Sequence, residues 1–113
     1  MKDVLSDKDA MKISRRITRG SINFSSHYRV KAEKRNIDEG EILKAIKDVD
    51  SIILIEDQGL EPKGHKYLML LQKSSRYDMR IIISIKKDKI NIVTAHIQNK
   101  RRRKVYEKWL KQR

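Results

Sequence analysis

Between residues 42 and 97 the apolar positions of this chain change from a helical to a strand-like spacing. Ile42, Leu43, Ile46 and Val49 recur at the 3.6-residue period of an amphipathic helix. Asp38 followed three residues later by Glu41 gives that helix a capping-box-like start, and Ile37 stands where a hydrophobic staple would pack back onto it. Four strand candidates follow. Residues 51–56 are short and β-branched, whereas 57–64, holding Gly59, Gly64 and the only proline, read as a loop. Residues 66–72 make the second strand. Residues 79–85 contain the run Ile81, Ile82, Ile83, the pattern of a central strand buried on both faces. The polar stretch Lys86, Lys87, Asp88, Lys89 then leads into 90–97, so the last two strands are expected to form an antiparallel hairpin.

The flanks read differently. Residues 1–21 mix charges without a sustained period and are expected as a flexible basic arm, with a short helix at 7–16. Ser25 or Ser26 can cap a basic helix over 26–35, which has good helix formers and no breaker. From Arg101 the pattern is helical again, Val105, Tyr106, Trp109 and Leu110 forming one apolar edge on a basic segment. The expected fold is α+β: one domain over 22–113, with two N-terminal helices packed on a four-stranded antiparallel sheet and a basic C-terminal helix at 101–113.

Charge then changes the picture from a fold to a partner. With 28 Lys+Arg against 15 Asp+Glu, the 113-residue chain carries a formal charge of +13, an excess that acts on partners and association rates rather than on folding. A polyanion is implied, RNA rather than DNA. The absence of cysteine excludes disulfides and thiolate metal sites and suits a reducing cytoplasm. No apolar run is long enough for a signal peptide or membrane span, so a soluble cytoplasmic protein is expected.

The segment from residue 100 concentrates Lys100, Arg101, Arg102, Arg103, Lys104 and Lys108, a density suited to phosphate contact without sequence discrimination, or to a solvated helix face. His27, Lys31 and Arg35 fall on one stripe of the 26–35 helix near its N-terminus, where free N–H groups favour anions. The neighbouring cations disfavour imidazolium, which leaves His27 available as a base. Alternation along the last strand puts Ile90, Ile92, Thr94 and His96 on one face, a polar pair continuing an apolar one. Either histidine equally suits a structural role, His27 as a cap or packing residue and His96 at the core edge. His65, after Gly64, could join either cluster. The three histidines lack metal-site spacing, so neither metal nor other cofactor is expected. No phosphate-cradling glycine loop or nucleophile elbow is present, and with 5% aromatics base stacking is not the main recognition mode.

Phe24-Ser25-Ser26-His27, followed by Lys31, Arg35, Ile37, Glu41 and Ile42, resembles a family of small uncharacterised prokaryotic domains (DUF4258-like) that open F-S-x-H-A-x-x-R-M-x-x-R-G-I-s-x-x-E-I. The likeness covers about residues 22–97, departing at Tyr28, Lys31, Ala32 and Asn36; Thr94 matches, and His96 stands where a tyrosine is commoner. That family looks related to RelE/ParE-type toxins and barnase-like ribonucleases. The resemblance implies a toxin-type endoribonuclease that needs no metal and is held in check by an acidic antitoxin. His27 would be the base, Lys31 and Arg35 the phosphate ligands, His96 the acid and Thr94 an orienting group. The alternatives are a non-catalytic basic RNA- or DNA-binding module and a ParE-like toxin acting on a protein target.

Overall fold

The computed structural model describes residues 3–25, 28 and 37–106. Its strands are β1 (Ser21–Phe24), β2 (Ile52–Glu61), β3 (Gly64–Gln72), β4 (Tyr77–Lys86) and β5 (Lys89–Asn99), in one sheet of order β1-β5-β4-β3-β2. β1 runs parallel to β5, and every other pairing is antiparallel. The expected four-stranded antiparallel sheet with a C-terminal helix is thereby corrected to a five-stranded mixed sheet. β1 escaped the pattern because four residues give almost no alternation, and its partners, Ile22 to Ile90 and Phe24 to Ile92, lie far along the chain.

Within the stretch expected as an arm, the short helix expected at 7–16 is present and extends further, as α1 (Asp7–Arg19). Ser6 caps it, its Oγ accepting from the Asp9 amide at 3.2 Å. Asp7 and Asp9 in the first turn, with Arg16 and Arg19 in the last, complement the helix dipole. Ile13 and Ile17 are buried and Ala10 partly so; this i, i+3, i+7 stripe was present in the sequence but diluted by charge. Gly20 ends the helix where a β-carbon would meet Ile90 Cδ1 at 2.5 Å and the Asp88 carbonyl at 2.8 Å, so α1 turns into β1 directly against the β4–β5 hairpin.

The second helix, α2 (Glu39–Lys47), matches its pattern at Ile42 and Ile46, which are fully buried, and Ile37 joins the same cluster, whereas Val49 falls beyond the helix end and is exposed. Asp38 holds the cap position without a side-chain hydrogen bond. The expected 57–64 loop is strand for most of its length. β2 continues to Glu61 and turns at 62–63 into Gly64, whose φ of +132° and close approach to the Ile85 carbonyl, 2.6 Å from an added β-carbon, require glycine. The β4–β5 hairpin forms as expected, closing at Lys86 opposite Lys89.

Both helices lie on one face of the sheet. Ile55, Met69, Leu71, Ile81, Ile83, Ile90 and Ile92 meet them there as the main core. Among the described residues the opposite face carries a smaller cluster, Leu54, Leu68, Leu70 and Tyr106. Tyr106 ends a 3-10 segment, Lys100–Tyr106, which stands where the basic α-helix was expected to begin. The rest of that expected helix, including Trp109 and Leu110, lies outside the described residues. Among the described residues no helix is long and apolar enough to cross a membrane.

Candidate nucleic-acid interface

The open face of the sheet owes its chemistry to a β-bulge. Ile83 pairs with Ile92, but the next residue back on β4, Ile82, pairs with Thr94, so Val93 is an extra residue on β5. The bulge switches the alternation. Ile90, Ile92 and Ala95 all face the helix-side core, while Thr94 and His96 turn to the other face. The expectation that Thr94 and His96 share a face holds, but the expectation that Ile90 and Ile92 share it with them is corrected.

On that face His96 stands opposite Arg80 and Thr94 opposite Ile82. Directly opposed residues on an antiparallel pair have β-carbons roughly 5 Å apart, within reach of each other's side chains. Arg80, His96, Gln98, Asn99 and Arg102 line a cleft of about 330 Å³. No ion pair holds the Arg80 or Arg102 guanidinium among the described residues, whereas Thr94 and His96 both have interaction partners.

The 3-10 segment brings Arg102 here because three contacts pin it to the sheet. The Lys100 amide donates to the Arg76 carbonyl at 3.0 Å. Arg103 forks onto Asp78, Nε to Oδ2 and Nη2 to Oδ1, both at 2.6 Å, and the Asp78 side chain is 0% exposed. The Tyr106 hydroxyl donates to Glu56 Oε2 at 3.1 Å. The hydrogen bonds to Asp78 hold the Arg103 guanidinium in its charged form against the opposing effect of burial. Burial, and then the Glu56 charge, push the Tyr106 phenol up.

The basic run therefore divides. Arg103 is committed inward, Lys100 is half-buried, and Arg101, Arg102 and Lys104 are exposed. Lys108 lies outside the described residues, as do His27, Lys31 and Arg35. Of that stripe's surroundings, Ser25 and Tyr28 are described. Ser25 Oγ accepts from the Tyr28 amide at 3.0 Å, the N-cap geometry expected there. The Tyr28 ring is buried in the helix-side core, 4.8 Å from that of Phe24, and its hydroxyl donates to the Ile37 carbonyl at 3.3 Å.

His65 does not join the Thr94 and His96 pair. It pairs in register with Ile85, five residues along β4 from Arg80 and on the helix-side face, a separation of roughly 17 Å along the strand. Its Nε2 contacts Asp57 Oδ1 at 2.5 Å, and its ring stacks on Tyr67 at 4.6 Å. Sequence reading missed Arg80. Its signal was its place between Met79 and Ile81, the one charged residue in the expected strand 79–85, which alternation sends to the face opposite the core.

The family described as Domain of unknown function (DUF4258) matches residues 24–97, a span that starts at the last residue of β1, takes in α2, β2, β3, β4 and β5 as far as Ile97 with its bulge, and reaches neither α1 nor the 3-10 segment. No curated protein and no solved structure gives a match.

Proposed function

The chain belongs to the Domain of unknown function (DUF4258) family, and from that premise we propose that it binds RNA on the open face of its sheet and cleaves it there by 2′-hydroxyl transesterification. The observation that carries the reading is the cross-strand pairing of His96 with Arg80, with Arg102 in the same cleft. An imidazole opposite one guanidinium, with a second lining the same cleft, unites a group that can move a proton near neutral pH with cations for the phosphate. In this reaction the 2′-oxygen loses its proton and attacks phosphorus, and the P–O5′ bond breaks. His96 gives the departing 5′-oxygen a proton, Arg80 and Arg102 stabilise the charge on the phosphoryl oxygens, and Thr94 orients the group beside them. The base for the 2′-hydroxyl is assigned to His27. Kinship with RelE/ParE-type toxins and barnase-like ribonucleases, together with action in the cytoplasm, belongs to the same proposal.

Incubation of labelled RNA with the protein in EDTA should release fragments ending in 2′,3′-cyclic phosphate. His96→Ala should lower the rate about 10²-fold or more, the usual contribution of a positioned proton donor. Arg80→Ala should lower it with folding retained. An unchanged rate in both variants would sink the cleavage step.

A second reading, a basic module that binds RNA without cutting it, is favoured by the exposure of Arg101, Arg102 and Lys104 along one short segment. Replacing these three with Ala should flatten the dependence of log affinity on log salt by about 0.7 for each phosphate that is no longer neutralised. A flattened slope with no cleavage by wild type selects this reading over the first.

A further inference from the structure

A groove at the β2 edge of the sheet shares no lining residue with the Arg80 and His96 cleft and lies largely outside the span that defines the family. It runs between α1 and the segment from Val49 into β2. One part, about 190 Å³, is floored by Leu5, Ala10, Ile52 and Ile53. A second, about 330 Å³, is bordered by Arg15, Thr18 and Arg19. Met11, Ser14 and Val49 line both parts, so they form one continuous channel. Met11 and Val49 are 49% and 50% exposed, two of the few large apolar side chains left open to solvent among the described residues. Ser14 is 3% exposed, and its hydroxyl oxygen is buried with no hydrogen-bond partner among the described residues. A native structure rarely leaves such a group unsatisfied without a use for it.

We propose that this groove is the docking site for an acidic amphipathic helix of a partner protein. The thirteen residues of α1 give the channel a length of roughly 20 Å, enough for three to four turns of a helix laid alongside. Its apolar floor and the open Met11 and Val49 suit the apolar stripe of such a helix. The rim selects the charge at the wider part, which Arg15 and Arg19 border, while Asp7 lines the narrower part and Lys12 on the exposed side of α1 pairs with Asp9. A second copy of this chain fits poorly as the occupant, because two bodies of formal charge +13 repel. A partner side chain reaching over Met11 would supply the acceptor or donor that Ser14 lacks.

The test uses the full chain and a labelled helical peptide of about three to four turns, with leucines at i, i+3, i+4 and i+7 and glutamates elsewhere, read by fluorescence anisotropy. The expected result is saturable binding that weakens about tenfold or more in Met11→Glu/Val49→Glu and also in Arg15→Glu/Arg19→Glu. All four side chains are exposed enough for the variants to keep their fold, which circular dichroism checks. RNA binding by Met11→Glu/Val49→Glu should equal that of wild type, so failure here is separable from failure of the RNA reading. Equal binding of the peptide by wild type and the Met11/Val49 variant would mean diffuse charge attraction and would overturn the proposal. So would equal affinity for a peptide with lysines in place of the glutamates, or a concentration-dependent dimer, seen by sedimentation, that the Met11→Glu/Val49→Glu change abolishes.

Discussion

The two faces of the sheet are built from the same strands, yet they solve opposite problems. On the helix side, odd positions of β3 and β4 place Met69, Leu71, Ile81 and Ile83 at 0% exposure against α1 and α2. On the open side, the even positions of β4 give Asp78, Arg80, Ile82 and Ser84, and among the described residues a short 3-10 segment lies over the Asp78 end of this row. The first face has its charges excluded and its volume filled. The second buries the Asp78 carboxylate beneath Arg103 for structure and leaves Arg80 and Arg102 bordering a cleft. Stability is thereby concentrated on one face, and chemistry can be changed on the other at small cost to the fold.

The largest effect expected from this division is on the core. Ile83→Ala should lower stability by about 2 to 5 kcal/mol, the transfer and cavity terms for a fully buried isoleucine. Ile82→Ala, one residue along and half-buried on the open face, should cost clearly less. Equilibrium urea unfolding of the two variants measures both; equal losses would mean that the open face is packed as tightly as the helix side.

Next in size is a contrast between neighbours. Arg103→Ala strands the Asp78 carboxylate, which is 0% exposed, and breaking a buried pair in this way costs about 3 to 5 kcal/mol. With the Arg103 side chain 27% exposed, the lower end is expected, and the 3-10 segment should detach from the sheet. Arg102→Ala, at an exposed position without an ion pair among the described residues, should change stability by less than about 0.5 kcal/mol while weakening RNA binding. The same unfolding experiment, run beside a salt titration of RNA affinity, would dissolve the distinction if the two arginines gave matching profiles.

How much of this was legible depended on whether a feature leaves a local pattern. α2, the hairpin at 86–89 and the central isoleucine strand are encoded by periodicity and turn residues close together, and they were readable. β1 was not, since four residues without a nearby partner resemble any coil. The helical stripe of Ala10, Ile13 and Ile17 was masked by the charged residues around it. A bulge is likewise invisible to strict alternation: Val93 is an ordinary strand residue, and only its pairing reveals that it is extra. Thr94 and His96 were correctly placed together, but the face they share, and the Arg80 that completes it, follow from that bulge. Arg103 looked like every other arginine in its run because Asp78 lies 25 residues away.

The smallest predicted effect lies where the helix-side face stops being apolar. Asp57 and His65 lie there, beside the buried Tyr67, with side chains 31% exposed each. Burial raises the Asp57 carboxyl, but the His65 hydrogen bond, the Gly59 amide at 2.8 Å and the His65 charge outweigh it and hold the group below its ordinary range. A carboxyl held lower in the folded chain than in the unfolded one adds stability at pH values above its unfolded pKa of about 4 and loses it as pH falls through the lower folded value. The stability gap between wild type and Asp57→Asn should thus be largest near neutral pH, on the order of 1 kcal/mol or less for so accessible a pair, and should close on acidification below about pH 4. Thermal unfolding from pH 7 down to pH 3 measures it. A gap that stays constant with pH would show that the end of the covered face is held by shape alone, as the apolar part of that face is, and not by charge.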